Sequence, residues 1–319
     1  MLPPSLQRFS FRLAALGAAL GLLATVSLPA QVRKLHTRDV TRLSQPQVTE
    51  YLKRSDIVFV PIGSVETTGI MPSDRDYVSA LGYAMAMADE LDALYMPGLI
   101  WSYPGTSMVG SSTIGISPTE GISFLKATSV SLIRSGFRRI IFVSSGHGPV
   151  PMTAGVTVRE IFDDYRVPML YMEMGEQVAK LKIPAAERNR LSFGSHRLAG
   201  RLIDFALKGE YGPDPYGDGH TGPAPVNEGY QALNKLGVTG SLSVGMWVSD
   251  VRAHALGNQE LPATEAEREE WGKQGEAQLR AIVKQMKLRE IVDALKKHAE
   301  FTNKVISPKF ENILPPLKK

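Results

Sequence analysis

The chain has no cysteine among its 319 residues. That absence excludes disulfide staples, thiol nucleophiles and thiolate metal sites in one step. A metal centre would have to use imidazole and carboxylate, and histidine is scarce too: His36, His147, His196, His220, His254 and His298 complete the set. Charge of one sign is also missing, with 36 Lys+Arg against 32 Asp+Glu for a net +4. No basic cluster stands out, so no nucleic-acid partner is expected. Hydrophobic residues make up 43% and charged residues 21%, a balance that excludes wholesale disorder. No internal repeat is found.

One region stands apart. Arg8 and Arg12 precede an apolar run from Leu13 to Leu28, with no acidic residue before Ala30. A basic start, an apolar stretch and small residues near Pro29-Ala30 read as a secretory signal over 1–30. The run is short and rich in Gly and Ala for a membrane helix. An exported chain, periplasmic or secreted, with no stable membrane span after leader cleavage is therefore expected. Residues 31–55 read as a lead-in with a short helix near 45–53, residues 56–300 as the α/β domain, and 301–319 as a C-terminal tail.

Within the domain, Ile57–Ile62 is a continuous apolar run bounded by turn residues, the pattern of a buried parallel strand. Further strands are predicted at 94–100, 139–144 and 167–172. Between them lie helical stretches at 77–94, 117–135 and 152–165, then one at 196–207 capped by Ser195. Ser117-Pro118-Thr119-Glu120 combines a cap, a first-turn proline and a reciprocal glutamate. Met85 and Met87 are core filler. A long C-terminal helix from Thr264 to about Lys297, opened by a Thr264/Glu267 capping box, sets Leu279, Ile282, Val283 and Met286 on one face. Strands alternating with helices imply a layered α/β/α fold with a mainly parallel sheet. The Gly/Pro/Asp-rich stretch 213–225 is too long for a plain connection.

Parallel α/β proteins place their sites just beyond the carboxyl ends of strands. Glu66 follows the first strand through Gly63-Ser64-Val65, Asp76 lies ten residues on, and His147 follows the third strand through Ser145-Gly146. Two carboxylates and one imidazole can hold zinc or manganese. The alternative is that Glu66 and Asp76 cap helices while His147 makes a turn hydrogen bond.

The segment Val60-Pro61-Ile62-Gly63-Ser64-Val65-Glu66-Thr67-Thr68-Gly69 resembles the first signature of the creatininase (creatinine amidohydrolase) family, roughly P-x-G-S-x-E-Q-H-G-x-H-L-P. Gly136-Phe137 through Ser144-Ser145-Gly146-His147-Gly148 resembles the second, G-F-x-x-I-x-x-x-N-G-H-G-G-N. Ser112-Thr113-Ile114 stands where the family has G-T-I. Gly237-Val238-Thr239-Gly240, Ala263-Thr264 and Lys273-Gln274-Gly275-Glu276 echo its ending. The order is right over about residues 56–285, which makes chance a poor explanation.

The resemblance implies a creatininase-like fold, an oligomer, and a metal site that hydrolyses C–N bonds of small amides. Glu66, Asp76 and His147 match three family ligands. Thr68 replaces the histidine two residues after the glutamate, and Met71 the next one, with one residue missing. Ser145 replaces an asparagine, and Pro149-Val150 a Gly-Asn. These losses fall on the second metal position, so one divalent ion is expected, zinc or manganese, with iron as a further option. The third signature, H-A-G-x-x-E-T-S, fits either His220, with Glu228 a little too far on, or His196 before Ala199-Gly200. The glycine-rich loop favours His220.

The reading is a metal-dependent hydrolase acting on a C–N bond of a small cyclic amide or related ring. Its metal is held by Glu66, Asp76 and His147, protons are moved by His220 or Glu228, and Ser112, Thr113 and Ser145 bind substrate. A small-molecule substrate and a homo-oligomer are its expected partners. The alternatives are a degenerate relative that binds a ligand without turnover, and a metal-independent lyase or isomerase on the same fold.

Overall fold

In the computed structural model, the described residues are 35–100, 112–145, 150–181, 183–211, 226–237 and 260–318. The side chains of residues 150, 151, 185, 186, 189 and 234 are outside the description. All but Leu35 belong to one compact unit, His36–Lys319. The expected leader, 1–30, and the Gly/Pro/Asp-rich loop lie outside the described residues. Among the described residues no helix is long and apolar enough to cross a membrane.

The first three strands of the sheet bury nearly every side chain, and the fourth, at one edge, buries only Met172. Helix α1 (Gln45–Leu52) leads into β1 (Ile57–Pro61), which is buried along its whole length. Then follow α2 (Arg75–Leu91), β2 (Leu94–Tyr95), α3 (Pro118–Ser135), β3 (Arg139–Ser144), α4 (Val150–Tyr165) and β4 (Leu170–Glu173). The four strands are parallel in the order β2-β1-β3-β4, with Val58 beside Leu94, Phe59 beside Ile141 and Val143 beside Met172. This is the parallel α/β fold that the alternating pattern implies. Met87 is fully buried in the main core beside Phe59, Ile141 and Leu279, and Met85 packs against that core.

Helix α3 starts and stops as its residues dictate. Ser117 Oγ accepts from the Glu120 N–H at 3.3 Å, and Glu120 accepts from the Ser117 N–H at 2.8 Å. Gly136 ends the helix at φ 109°, in the left-handed region that glycine enters without cost. The predicted strand 94–100 is shorter: only Leu94 and Tyr95 are paired in the sheet, with one further bridge at Leu99. The predicted strand at 167–172 is shifted to Leu170–Glu173.

The C-terminal half departs further. After α5 (Met174–Lys180), helix α6 runs Ala185–Leu198, so the predicted helix 196–207 is incorrect. Pro184 precedes this helix, and Gly200 turns the chain at φ 73° beyond it. Ser195 therefore lies in the last turn of α6 and caps nothing.

A short exposed helix, α7 (Glu228–Lys235), precedes α8 (Glu265–Gln285) and α9 (Leu288–Phe301). The predicted single helix 264–297 is thus two, broken at Lys287, which sits at φ 53°. That break turns Leu288 and Val292 into the same core as Leu279, Ile282 and Val283. Thr264 accepts from the Glu267 N–H as expected, but Glu267 returns its bond to the Ala263 N–H at 2.6 Å rather than to Thr264. Helices α6 and α8 cross at Gly194 and Gly275, where backbone meets backbone.

Candidate active site

Beyond Pro61 the chain leaves the sheet through Ile62-Gly63-Ser64-Val65-Glu66. A Cβ on Gly63 would stand 2.5 Å from Tyr77 Cα and 2.7 Å from its nitrogen, so only a hydrogen fits. This close approach seats the Glu66 loop on the first turn of α2, where Asp76 immediately precedes Tyr77. Backbone bonds hold the loop without using the carboxylate. The Glu66 N–H donates to Ser73 O at 2.9 Å, and the Ile114 N–H donates to Val65 O at 3.0 Å. The Thr67 N–H donates to Thr113 Oγ1 at 3.0 Å.

Glu66 is 1% exposed. A carboxylate that deep is costly unless it is paired or coordinated. It lies outside any helix, so helix capping does not account for it. Asp76 is in the first turn of α2, where the helix dipole favours a carboxylate. Its Oδ1 lies 3.7 Å from Arg75 Nε, longer than a hydrogen bond. Thr68 is buried, and its hydroxyl donates to the carbonyls of Met71 (3.3 Å) and Pro72 (3.1 Å). An alcohol engaged in closing its own turn does not replace an imidazole ligand.

Asp76 and Ser145 line one cavity of about 200 Å³ at the carboxyl edge of the sheet. Arg75, Ser79 and Tyr83 of α2 line it too, as do Gly175 and Val178 of α5 and Arg188, Leu191, Ser192 and Ser195 of α6. The structure therefore brings Asp76 and Ser145 together and packs the Glu66 loop beside them. Ser112 and Thr113 are not among the lining residues; Thr113 holds the loop instead. Glu228 is exposed at the start of α7. His147 and His220 lie outside the described residues, and among those described no three His, Asp or Glu side chains form a metal-holding group.

The donor chemistry nonetheless suits a divalent ion. Glu66 and Asp76 are hard oxygen donors on adjoining segments. Ser64, two residues before Glu66, is fully buried with its hydroxyl unpartnered among the described residues. Buried polar atoms without a partner are few in folded proteins, and each calls for an explanation.

His196, the other candidate for the third signature, is fully buried. Its Nδ1 lies 2.9 Å from Ser192 O, and its ring meets Phe205 edge-on at 4.4 Å. Burial pushes its pKa down to about 4. The folded chain therefore refuses a proton that the unfolded chain accepts near pH 6.5. The associated stability is complete above that pH and is lost as the pH falls toward 4. Between about pH 7.5 and about pH 4.5 the wild type should lose roughly 2–3 kcal/mol more than His196→Leu does, read from urea denaturation. Equal losses in the two proteins would refute a neutral buried imidazole.

The sequence profile of the creatinine amidohydrolase (creatininase) family matches residues 41–241, more than half of the chain. The chain belongs to the creatininase family. Among solved structures, one of creatinine amidohydrolase (creatininase) is similar at 15% identity and TM-score 0.50, covering 82% of this chain and 98% of that one. A manganese creatininase (16% identity, TM-score 0.46) and a mutant creatininase of Zn–Zn type (17% identity, TM-score 0.46) cover the same shares. No curated protein matches the sequence. At 15% identity the first of these structures speaks for the fold alone. The creatininase-family glycine of the first signature, Gly63 here, has a physical reason in the Tyr77 contact.

Proposed function

We propose that the chain is a metal-dependent hydrolase cleaving a C–N bond of a small cyclic amide or related ring. The observation that carries this reading is a buried carboxylate, Glu66, on a loop packed against the helix turn of Asp76, which faces a cavity shared with Ser145. Glu66, Asp76 and His147 would hold one divalent ion, zinc or manganese, with iron as the further option. Such an ion supplies Lewis acidity, polarising an amide carbonyl and acidifying water.

The chain's own residues do the rest. The bonds donated by the backbone N–H groups of Glu66, Thr67 and Ile114 hold the loop before substrate arrives, which lessens the ordering left for the reaction. Ser145 and Ser192 offer hydroxyls to substrate polar atoms, while Tyr83, Val178 and Leu191 give the cavity an apolar wall that thins out water. Glu228 is exposed on α7, which favours His220 as the group that moves protons. Export through the 1–30 leader and assembly into a homo-oligomer complete the reading.

A binding role without turnover draws on one observation, the Arg75 guanidinium already beside Asp76. Elemental analysis of the chain without 1–30, beside His147→Ala, separates the two. About one equivalent of zinc, manganese or iron, lost in the variant, is expected of the hydrolase. No metal in either protein after reconstitution would leave the binding role.

A further inference from the structure

Helix α6 presents two different faces. Arg190 donates to Gln274 and stacks over Trp271, and Arg197 pairs with Glu269 at 3.1 Å and Glu276 at 2.7 Å. Those residues tie α6 to α8. Arg188, Leu191, Ser192 and Ser195 fall at i, i+3, i+4 and i+7, a single helical stripe, and all four line the cavity. Arg188 is exposed, and no carboxylate pairs with it among the described residues.

The cavity is thus positive at its rim and hydroxylic at its base. Arg188 supplies a guanidinium at the rim, Arg75 stands beside Asp76, and the Glu173 carboxylate accepts from the N–H of the lining residue Gly175. A divalent cation held by Asp76 would add positive charge there. Ser79 is 7% exposed, with its hydroxyl 3.4 Å from that of Ser192. Ser195 is fully buried, and its Oγ has no hydrogen-bond partner among the described residues. A donor buried against a cavity without a protein acceptor is complemented by an acceptor-rich ligand.

We infer that the cavity selects a substrate bearing a carboxylate, gripped by Arg188 and seated toward the hydroxyls of Ser192 and Ser195. A guanidinium fork matches the plane of a carboxylate and binds it bidentately. The volume of about 200 Å³ corresponds to roughly six or seven water molecules, which suits a small ring acid and not a nucleotide. Arg75 stays beside Asp76. Assigning the carboxylate to a substrate rests on the hydrolase reading; the anion preference itself does not.

The test is calorimetric binding of two matched pairs, 2-pyrrolidone-5-carboxylate against its carboxamide and acetate against acetamide, with inorganic phosphate as a further probe. The chelator-treated and the metal-reconstituted wild type are compared with Arg188→Gln and Arg188→Lys. In the metal-free wild type each acid should bind at least about tenfold more tightly than its amide. Arg188→Gln should weaken acid binding about tenfold to a hundredfold and leave amide binding alone, with partial rescue by Arg188→Lys. Equal affinity for acid and amide, no acid binding at millimolar concentration, or an acid preference that survives Arg188→Gln would each overturn the inference. Tighter binding of phosphate than of both acids would overturn the choice of carboxylate. Failure of the hydrolase reading looks different: the acid preference persists, yet no metal is taken up and no lactam is opened. Opening of neutral lactams with no acid preference sinks only the inference made here.

Discussion

Gly275→Ala is expected to destabilise the chain by about 3–5 kcal/mol. A Cβ at this position would lie 1.9 Å from Arg190 O, 2.7 Å from Arg190 C and 2.8 Å from Gly194 N. All three are backbone atoms, so no rotamer change relieves the overlap. Seen from the other helix, a Cβ on Gly194 would lie 2.1 Å from Gly275 C. Helices α6 and α8 would have to separate, opening the core around Leu191 and Leu279.

Alanine is favoured over glycine in a helix by about 1 kcal/mol, which opposes the clash but is too small to offset it. Gly155→Ala supplies the control. It lies within α4, is exposed, and a Cβ there meets nothing within 4 Å. It should stabilise by about 0.5–1 kcal/mol through helix propensity alone. Urea denaturation of the two variants should therefore shift in opposite directions. A Gly275→Ala protein as stable as wild type would show that the crossing is looser than described. Because α6 carries Arg188, Ser192 and Ser195 into the cavity, losing the crossing should also disturb the site.

Gly275 shows how a sequence signal and its cause differ. The Lys273-Gln274-Gly275-Glu276 echo is visible in the chain, but a helical glycine gives no sign of which backbone approaches it. Local signals were legible where the cause is local. Ser117 with Glu120, and Gly136 after Ser135, bound α3 because capping bonds span three or four residues. The strands Ile57–Pro61 and Arg139–Ser144 were legible because burial on both faces leaves an unbroken apolar run.

The break at Lys287 was not, since a lysine in the left-handed region is disfavoured locally and held there by Leu288 and Val292 turning into the core. The bounds of α6 are not legible either, because Ser195 resembles a cap in sequence while tertiary contacts bury it within the last turn. Nothing local in the sequence marks Arg188, because its alignment with Leu191, Ser192 and Ser195 exists only once α6 is in register. Asp76 and Ser145 were legible as strand-end and helix-start residues, although their shared cavity is a property of the sheet order.

Glu66→Gln should lower metal affinity by more than about a hundredfold, beyond what losing a supporting contact to a metal ligand costs, and turnover should fall with it. The substitution is close to isosteric. Because the loop is held through Glu66 N, Val65 O and Thr67 N, the geometry should survive the loss of charge. A neutral amide is also cheaper to bury than a carboxylate at 1% exposure. The metal-free variant should therefore keep the fold of the metal-free wild type. Adding zinc or manganese should raise the wild-type melting temperature and leave that of Glu66→Gln unmoved, since a ligand stabilises only the state that binds it. Activity alone would not separate a metal ligand from a structural acid, but this pair of melting curves does. A ligand lost should appear as a missing metal-dependent shift on an intact fold, whereas a structural acid lost should lower the metal-free curve itself. If Glu66→Gln keeps the full metal-dependent shift, Glu66 is not a ligand and the proposed centre fails at its most deeply buried residue.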